Sequence, residues 1–413
     1  MATDSSSCSY ALLVLPTAPS SFDSLKTAYL SALTAVLSDL AQSVQGTDKI
    51  ATLEIAAITP GLLSPHTQPR TRLFDALQKF LAGIYKLIGI VGAKEAIELD
   101  TPGGVDARVF FLDYNNSQPP LTEAVENNAP LQGPIIDLQS LAACSRKWST
   151  VYIVQNQDSE TLLTEFTSSL KARTGSEHIP AVRRLAGGTA SEESNVHAGN
   201  PTDQMSPHYF VAVGGTFDHL HAGHKLLLTA TALAADPYQH QSSSGQGIMT
   251  IGITGDELLV NKKYAEYLES WEARWQRVSN FLESIIDFSP PRDKATAGIE
   301  RVSKPGPNGQ YVRIRVTPSL DLKFVQISDP FGPTITDESI SALIVSKETR
   351  SGGKAVNDER EKKGWRKLDV FEVDVLDFGG VEGETNASAE AFASKISSTD
   401  IRRRQMNMAK GNL

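Results

Sequence analysis

Apolar positions recur along the chain with two different periods, and segments of the two kinds alternate. Short strand-like runs include "YALLVLP" and "IATLEIAAI" in the first half, and "YFVAVGG" and "IMTIGITGD" in the second. Other segments carry apolar residues at helical spacing, such as "RLFDALQKFLAGIYKLI" and "SWEARWQRVSNFLESII". Strands that alternate with helices favour mostly parallel sheets with helices on both faces. The pattern therefore predicts an α/β fold in both halves.

Composition divides the chain at residues 175–206, which are rich in Gly, Ser, Asn and Glu and poor in aromatic residues. Such a composition is typical of a flexible linker. We therefore predict an N-terminal α/β domain over residues 1–174 and a second α/β domain over residues 207–413. The stretch "PPRDKATAGIERVSKPGPNGQ" has a similar character and is predicted to be a surface insertion in the second domain.

Charge and cysteine content narrow the classes of partner. The 413 residues include 39 basic and 48 acidic side chains, a net charge of −9, which lacks the basic footprint of a nucleic-acid binder. No apolar run has the length and composition expected of a membrane span, and the N-terminus has no signal-peptide pattern. The two cysteines, Cys8 and Cys144, lie far apart, which suits a reducing compartment. We expect no nucleic-acid or membrane partner and a location in the cytoplasm or the nucleus.

The stretch "FVAVGGTFDHLHAGHKLLL" joins a strand to a helix and carries the first candidate chemistry. Gly214 and Gly215 end the strand, where glycine lets a ligand approach the backbone. His221 and His224 are one helical turn apart, near a helix N-terminus that favours anions. These residues predict a phosphate site with imidazole donors. A capped turn with two surface histidines fits the spacing equally well, and a metal site fits it less well because no third ligand is near.

The stretch "KISSTDIRRRQ" near the end of the chain is the second candidate. Ser397, followed three positions later by Asp400, resembles a capping box. Ser398, Thr399 and Arg402 add hydroxyls and a guanidinium, which together with a helix N-terminus can hold a polyphosphate. Taken alone, the stretch is more simply an ordinary capped helix with a solvated basic face.

Two further loops follow strands and carry polar residues. Lys262, in "TGDELLVNKKYAEYL", can meet a transferring phosphoryl group, although most lysines at such positions are simply solvated. Arg350 and Asn357, in "VSKETRSGGKAVNDER", suit either a nucleotide-facing loop or a surface loop. The sequence contains no G-x-x-x-x-G-K-[ST] motif, which excludes a P-loop kinase as a motif-based interpretation.

Taken together, these motifs resemble a known family. "GGTFDHLHAGH" is similar to the T/H-x-G-H signature of the nucleotidyltransferase superfamily, and "ISSTDIR" to its second phosphate-binding signature. With "GITGDELLVNK", "SDPFGPT" and "VSKETRSGGKAVNDER", residues 207–413 closely resemble the eukaryotic phosphopantetheine adenylyltransferases of coenzyme A biosynthesis. The resemblance implies a Rossmann-like nucleotidyltransferase domain. It implies no role for the N-terminal domain. Animal relatives are fused to a dephospho-CoA kinase, and the lack of a P-loop here predicts a monofunctional chain.

The reaction implied by the resemblance joins ATP and 4′-phosphopantetheine to give 3′-dephospho-CoA and pyrophosphate. Because the attacking phosphate is already anionic, no general base and no covalent enzyme intermediate are required. Mg²⁺ is expected with the nucleotide, held by phosphates and water rather than by a protein metal site. All motifs lie within residues 207–413, which are therefore predicted to suffice for catalysis.

The resemblance also assigns roles to residues. His224 and Lys262 are the expected catalytic residues, one at the α-phosphate of ATP and the other at the attacking phosphate. The expected ATP-binding residues are Thr216, Phe217, His221, His224, Ser397, Ser398, Thr399 and Arg402. The expected substrate-binding residues are Thr216, Lys262, Arg350 and Asp329. Many relatives carry an arginine directly before the Gly-Gly pair, where this chain has Ser351.

Two alternatives remain open from the sequence. One is another small-molecule nucleotidyltransferase, such as a cytidylyltransferase or a nicotinamide-mononucleotide adenylyltransferase. The other is a scaffold of a coenzyme A-synthesising complex whose transferase fold is vestigial. The N-terminal domain could serve as an interaction module in either case, with other coenzyme A enzymes as partners.

Overall fold

The computed structural model describes residues 9–19, 21–116, 132–174, 179–186, 205–238, 245–290, 298–306, 309–377, 392 and 397–411. Its α-helices are α1 (Phe22–Val44), α2 (Phe74–Lys94), α3 (Leu138–Ala143), α4 (Gln157–Thr174), α5 (Ala222–Ala234), α6 (Trp271–Ile286), α7 (Arg350–Lys362) and α8 (Ser398–Gly411). The strands of the first sheet are β1 (Tyr10–Leu15), β2 (Ala51–Ile58), β3 (Val105–Asp113), β4 (Ile135–Asp137), β5 (Thr150–Val154) and β6 (Ala181–Leu185). The strands of the second are β7 (Phe210–Gly215), β8 (Gly247–Thr254), β9 (Ile299–Gly306), β10 (Gly309–Thr317), β11 (Leu320–Ile327), β12 (Ala342–Ser346) and β13 (Asp369–Val373).

The first sheet is parallel throughout, in the order β4-β3-β2-β1-β5-β6. Its central strands read as nearly continuous apolar runs because helices cover both faces. This confirms the α/β prediction for the N-terminal half. The predicted linker, 175–206, begins too early, because Ala181–Leu185 pairs with β5 as an edge strand. Residues 187–204 of that segment lie outside the described part of the chain.

The second sheet is Rossmann-like and mostly parallel, in the order β13-β12-β7-β8-β11-β10-β9. The first five strands run parallel, and β10 and β9 are added antiparallel at one edge. The predicted surface insertion therefore contains a strand, Ile299–Gly306. Its exposed position at the sheet edge and its Gly- and Pro-rich surroundings explain why composition alone indicated a loop.

Helix α2 lies between the two sheets. It is apolar on nearly all sides, with residues such as Phe80, Leu81 and Ile84 fully buried, because it packs on α1 in one domain and on α5 in the other. The prediction that no run has the length and composition of a membrane span was wrong, because the segment Arg70–Lys94 meets both criteria, alone among the described residues. Most of it is buried inside the protein, as in the core helix of a two-domain packing. One hydrophobic cluster consequently includes residues of both domains.

Candidate functional site

A cavity of about 570 Å³ opens at the carboxyl ends of β7, β12 and β13. Ligands of open α/β sheets bind at this edge, outside the carboxyl ends of the strands. The cavity brings together most of the residues that the sequence analysis named for the site. Those that line it are Thr216, Phe217, His221, His224, Lys262, Ser397, Ser398, Thr399 and Arg402.

The two histidines lie at the N-terminus of α5. His221 is the N-cap residue, and its ring stacks on that of His224 with centroids 3.9 Å apart and an interplanar angle of 21°. Gly223 permits this arrangement, because a Cβ there would lie 3.2 Å from Cε1 of His221. Neither ring caps the helix, so the first N–H groups of α5 remain directed at the cavity. The structure therefore brings the two imidazoles together on one side of the cavity.

Both imidazoles are held neutral by their surroundings. Burial lowers the pKa of His224 to about 4, against a smaller opposing effect of Asp218. Burial, followed by the charges of His224 and Lys225, lowers the pKa of His221 well below its usual value. Among the described residues neither Nδ1 atom has a hydrogen-bond partner. Because the Ser398 hydroxyl donates to Asp218, Nε2–H of His221 donates to Ser398 and leaves Nδ1 of His221 as an acceptor. The unpaired Nδ1 of His224, beside a helix N-terminus, is the ring nitrogen whose hydrogen-bonding capacity an anion with acceptor oxygens would satisfy.

The second motif begins α8, which also lines the cavity. Ser397 is the residue before the helix, and its Oγ accepts a hydrogen bond from the backbone N–H of Asp400 at 3.4 Å, as the capping-box pattern predicted. Ser398 donates to the backbone carbonyl of Asp218 at 2.7 Å and lies 3.3 Å from Nε2 of His221. The two motifs are thus in direct contact although about 180 residues separate them.

Arg402 does not lie on a solvated basic face. Its side chain is 4% exposed and forms an ion pair with the equally buried carboxylate of Asp218. The guanidinium also donates to the carbonyl oxygen of Lys263 at 3.1 Å and to Oγ1 of Thr399 at 3.2 Å. Arg403, in contrast, is 54% exposed and pairs with Asp400 in the preceding helical turn. Arg402 therefore both lines the cavity and fixes the loop that carries the first motif.

Asp218 and Arg274 are site residues that the motifs did not reveal. The Asp218 carboxylate accepts from the backbone N–H of Glu269 at 2.9 Å in addition to pairing with Arg402. Arg274, fully buried on α6, donates to the carbonyl oxygens of Thr216 and Thr254 at 2.7 and 2.8 Å. The sequence did not predict that Arg274 holds the Thr216 carbonyl, because an arginine in an amphipathic helix usually faces solvent.

The loop held by these contacts is strained. Phe217 and His219 have φ angles of 51° and 46°, in the left-handed region that residues other than glycine seldom adopt. Surrounding hydrogen bonds compensate, since His219 donates its backbone N–H to Glu269 at 2.9 Å. A strained backbone fixed on several sides indicates a loop that is kept in one conformation for binding.

Lys262 reaches the cavity from the loop after β8 and is exposed there. Within the described residues its ammonium group forms no ion pair, so its charge is available to an anionic ligand. The remaining wall was not predicted. It is polar at Ser346 and Thr349 after β12, and apolar at Val373 and Phe392.

Two predicted substrate residues lie outside the cavity. Arg350, at the start of α7, is mostly exposed and pairs with Glu372 of the neighbouring strand. The Asp329 carboxylate accepts the backbone N–H groups of Phe331 and Gly332, both at 2.8 Å, and so closes its own turn. The nucleotide-facing role predicted for Asn357 is also not supported, because its amide hydrogen-bonds both backbone groups of Leu368.

The chain is similar to known proteins over parts of its length. Residues 1–191 match a family described as a domain of unknown function, DUF8446. The chain is 36% identical over 201 residues to an uncharacterized protein of Schizosaccharomyces pombe, which covers 49% of each chain. It is 33% identical over 195 residues to the phosphopantetheine adenylyltransferase of Saccharomyces cerevisiae, covering 47% of this chain and 48% of the yeast protein. The chain thus spans about half the length of these two relatives.

An archaeal relative is matched over more of its length. The chain is 30% identical over 166 residues to the phosphopantetheine adenylyltransferase of Thermococcus kodakarensis. The match covers 40% of this chain and 74% of the archaeal protein.

Proposed function

Because the chain belongs to the phosphopantetheine adenylyltransferase family, we propose that it transfers the adenylyl group of ATP to 4′-phosphopantetheine. The products are 3′-dephospho-CoA and pyrophosphate. The observation that carries this proposal is the meeting of two helix N-termini, two neutral imidazoles and one unpaired lysine in a single cavity. Each of these groups is suited to phosphate oxygens, and together they can hold a triphosphate and a second, attacking phosphate.

The proposed reaction is a direct in-line displacement. An oxygen of the acceptor phosphate forms a bond to the α-phosphorus of ATP, the bond from that phosphorus to the bridging oxygen breaks, and pyrophosphate leaves with the electron pair. The nucleophile is already an anion, so the site need not supply a base. Catalysis then depends on positioning the two phosphates and on neutralising the charge that gathers between them.

Lys262 and His224 are the proposed catalytic residues. The exposed ammonium of Lys262 offsets the repulsion between the attacking phosphate and ATP. His224, in the first turn of α5 and neutral at physiological pH, donates a hydrogen bond to the α-phosphate as negative charge develops there. A neutral donor at a helix N-terminus provides this stabilisation without a proton having to be taken up first.

The β- and γ-phosphates are proposed to lie against the start of α8. Ser397, Ser398 and Thr399 present hydroxyls and backbone N–H groups at this helix N-terminus. Arg402 remains paired with Asp218 and retains further N–H groups that can reach the cavity. Arg350 and Asp329 take no part in this proposal, since neither lines the cavity.

Mg²⁺ fits this site as a companion of the nucleotide, with phosphate oxygens and water as its main ligands. The nearby carboxylates of Asp218 and Asp374 are already paired with Arg402 and Lys347. When bound, the ion would neutralise charge on the leaving pyrophosphate. Since the sequence carries no P-loop motif, we further propose that the chain catalyses adenylyl transfer without a kinase step.

A panel of acceptors and nucleotides tests the proposal. Pyrophosphate release is measured with ATP or CTP against 4′-phosphopantetheine, nicotinamide mononucleotide and phosphocholine. We expect release with ATP and 4′-phosphopantetheine and only background with the other pairs. Preference for another pair would assign the chain to a different reaction of the same superfamily. ATP binding without transfer to any acceptor would favour the vestigial scaffold.

A further inference from the structure

We propose that the N-terminal domain positions the phosphate-binding elements of the transferase site, and so acts as a part of that site rather than as a separate module. The inference rests on the proposed function for its meaning in catalysis, but its evidence is independent. Residues of the N-terminal domain contact α5, α8 and residues 374–377 after β13, and each of these three parts contributes to the cavity.

Lys225 makes the strongest of these contacts. It follows His224 directly in α5, and its side chain is 3% exposed. Its ammonium pairs with the carboxylates of Asp100 and Asp106 and donates to the carbonyl oxygen of Ala107 at 2.9 Å, all in the N-terminal domain. Burial alone would lower the pKa of Lys225, but the two carboxylates outweigh it and raise the pKa above its ordinary value. A fixed, charged Lys225 sets the position of the first turn of α5, and with it both histidine rings.

The far wall of the cavity is held from α2. The side-chain carbonyl of Gln78, a buried residue, accepts the backbone N–H of Asp374 at 3.0 Å. Lys86 lies 3.6 Å from the carboxylate of Asp377, and both aspartates line the cavity. A third contact is steric, since a Cβ on Gly89 would lie 2.6 Å from the ring of Phe392. Helix α2 thus contacts the cavity lining at Asp374, Asp377 and Phe392.

The second motif is tied to the same domain. Arg404, two residues after Arg402 in α8, forms an ion pair of 2.8 Å with Glu98. Glu98 precedes Asp100, the partner of Lys225, by two residues. One short loop of the N-terminal domain therefore contacts both helices whose N-termini face the cavity.

Other contacts between the domains lie away from the site and serve as a reference. Arg70 donates its backbone N–H to the carboxylate of Asp236 at 2.9 Å, beyond the C-terminal end of α5. Its guanidinium donates to the carbonyl oxygens of Gly133 and Ala235. With 13 residues in α5 and a rise of about 1.5 Å each, this contact lies roughly 18 Å along the helix from its N-terminus. Arg70 is as deeply buried as Lys225.

The test compares full-length variants at the two ends of α5. Lys225→Met and Arg70→Met both remove a buried cation from the domain interface, but only the first lies at the phosphate end. The readout is the affinity for α,β-methylene ATP, measured by calorimetric titration at a temperature where circular dichroism shows each variant folded. We expect at least a tenfold loss for Lys225→Met and less than threefold for Arg70→Met, because small displacements of positioned groups have large effects.

Gln78→Leu and Gln78→Glu provide a second pair within the N-terminal domain. Leucine at this position removes the acceptor for the Asp374 N–H, whereas glutamate keeps an acceptor oxygen there. The affinity for the ATP analogue is therefore expected to fall about fivefold or more in Gln78→Leu and to remain near that of the wild type in Gln78→Glu. If Lys225→Met does not fold, the comparison of Gln78→Leu with Gln78→Glu tests the inference by itself. Folded Lys225→Met or Gln78→Leu with wild-type affinity would overturn the inference. Wild-type protein that binds the analogue but transfers to no acceptor would contradict the proposed function alone and leave these comparisons intact.

Discussion

Replacing Arg402 by methionine is expected to destabilise the whole protein, although the residue stands in a run of three arginines. In the structure Arg402 and Asp218 are 4% and 1% exposed. Methionine has a similar length but no charge, so the variant keeps much of the packing and leaves the Asp218 carboxylate buried without its cation. Removing one partner of a buried ion pair costs about 3–5 kcal/mol. Total stabilities of domains are about 5–15 kcal/mol, so the effect is large but measurable.

The assay is urea unfolding followed by circular dichroism, with Arg403→Met as the matched control. Arg403 is 54% exposed, and loss of its pair with Asp400 is expected to cost less than about 1 kcal/mol. The double variant Asp218→Asn, Arg402→Met removes the orphaned charge, and it should recover a substantial part of the stability lost in Arg402→Met alone. Equal losses for Arg402→Met and Arg403→Met would refute the assignment of Arg402 as the buried anchor of the first motif.

Three further outcomes follow from the site and the domain interface. Because the pKa of His224 lies near 4 in the folded protein and near 6.5 when unfolded, the unfolded chain binds the extra proton first, and stability should fall as pH drops from about 6.5 to 4. Between pH 7.5 and 5, the free energy of unfolding of His224→Gln should therefore fall by up to about 2 kcal/mol less than that of the wild type. Equal falls for the two proteins in urea unfolding would contradict this. Lys262→Ala should lower the rate of pyrophosphate release at least tenfold with little change in the free energy of unfolding. Arg350→Ala should leave that rate within about twofold of the wild type. A larger loss of rate for Arg350→Ala than for Lys262→Ala would contradict both assignments. The motifs alone predicted that residues 207–413 suffice for catalysis, but the domain contacts reverse that expectation. A fragment starting at residue 207 should be unstable, because it exposes the face of α5 that packs on α2 and leaves Lys225 without its carboxylates. A monomeric, folded and active fragment in gel filtration and kinetics would disprove this.

Hydrophobic periodicity was sufficient to predict the α/β fold, because long central strands and amphipathic helices have strong patterns. It missed the short edge strand Ala181–Leu185, whose two arginines and exposed position resemble a linker. The same limit applies to β9, which lies at the edge of the second sheet. Edge strands are half solvated, so their residues need not alternate or be apolar.

The residues of the two motifs line one cavity, and those of each motif are local in sequence. Contacts between distant segments were not predictable in the same way. Arg402 has its partner 184 positions upstream, and nothing in "IRRRQ" distinguishes it from its exposed neighbour Arg403. Arg350 and Asp329 follow strands, as binding residues often do. Arg350 instead pairs with Glu372, and Asp329 accepts a hydrogen bond from the backbone of its own turn. The contacts made by Lys225 belong to no motif, because the carboxylates that surround it lie in the other domain.

The central claim is tested most directly by detecting the nucleotide product. Purified full-length protein is incubated with ATP, Mg²⁺ and 4′-phosphopantetheine, and 3′-dephospho-CoA is quantified by mass spectrometry for wild type and His224→Ala. We predict equimolar 3′-dephospho-CoA and pyrophosphate from the wild type, and a kcat about 10²–10³ lower in the folded variant, the usual effect of losing one transition-state donor. Absence of 3′-dephospho-CoA from the wild type, or near-equal kcat in folded His224→Ala, would contradict the account.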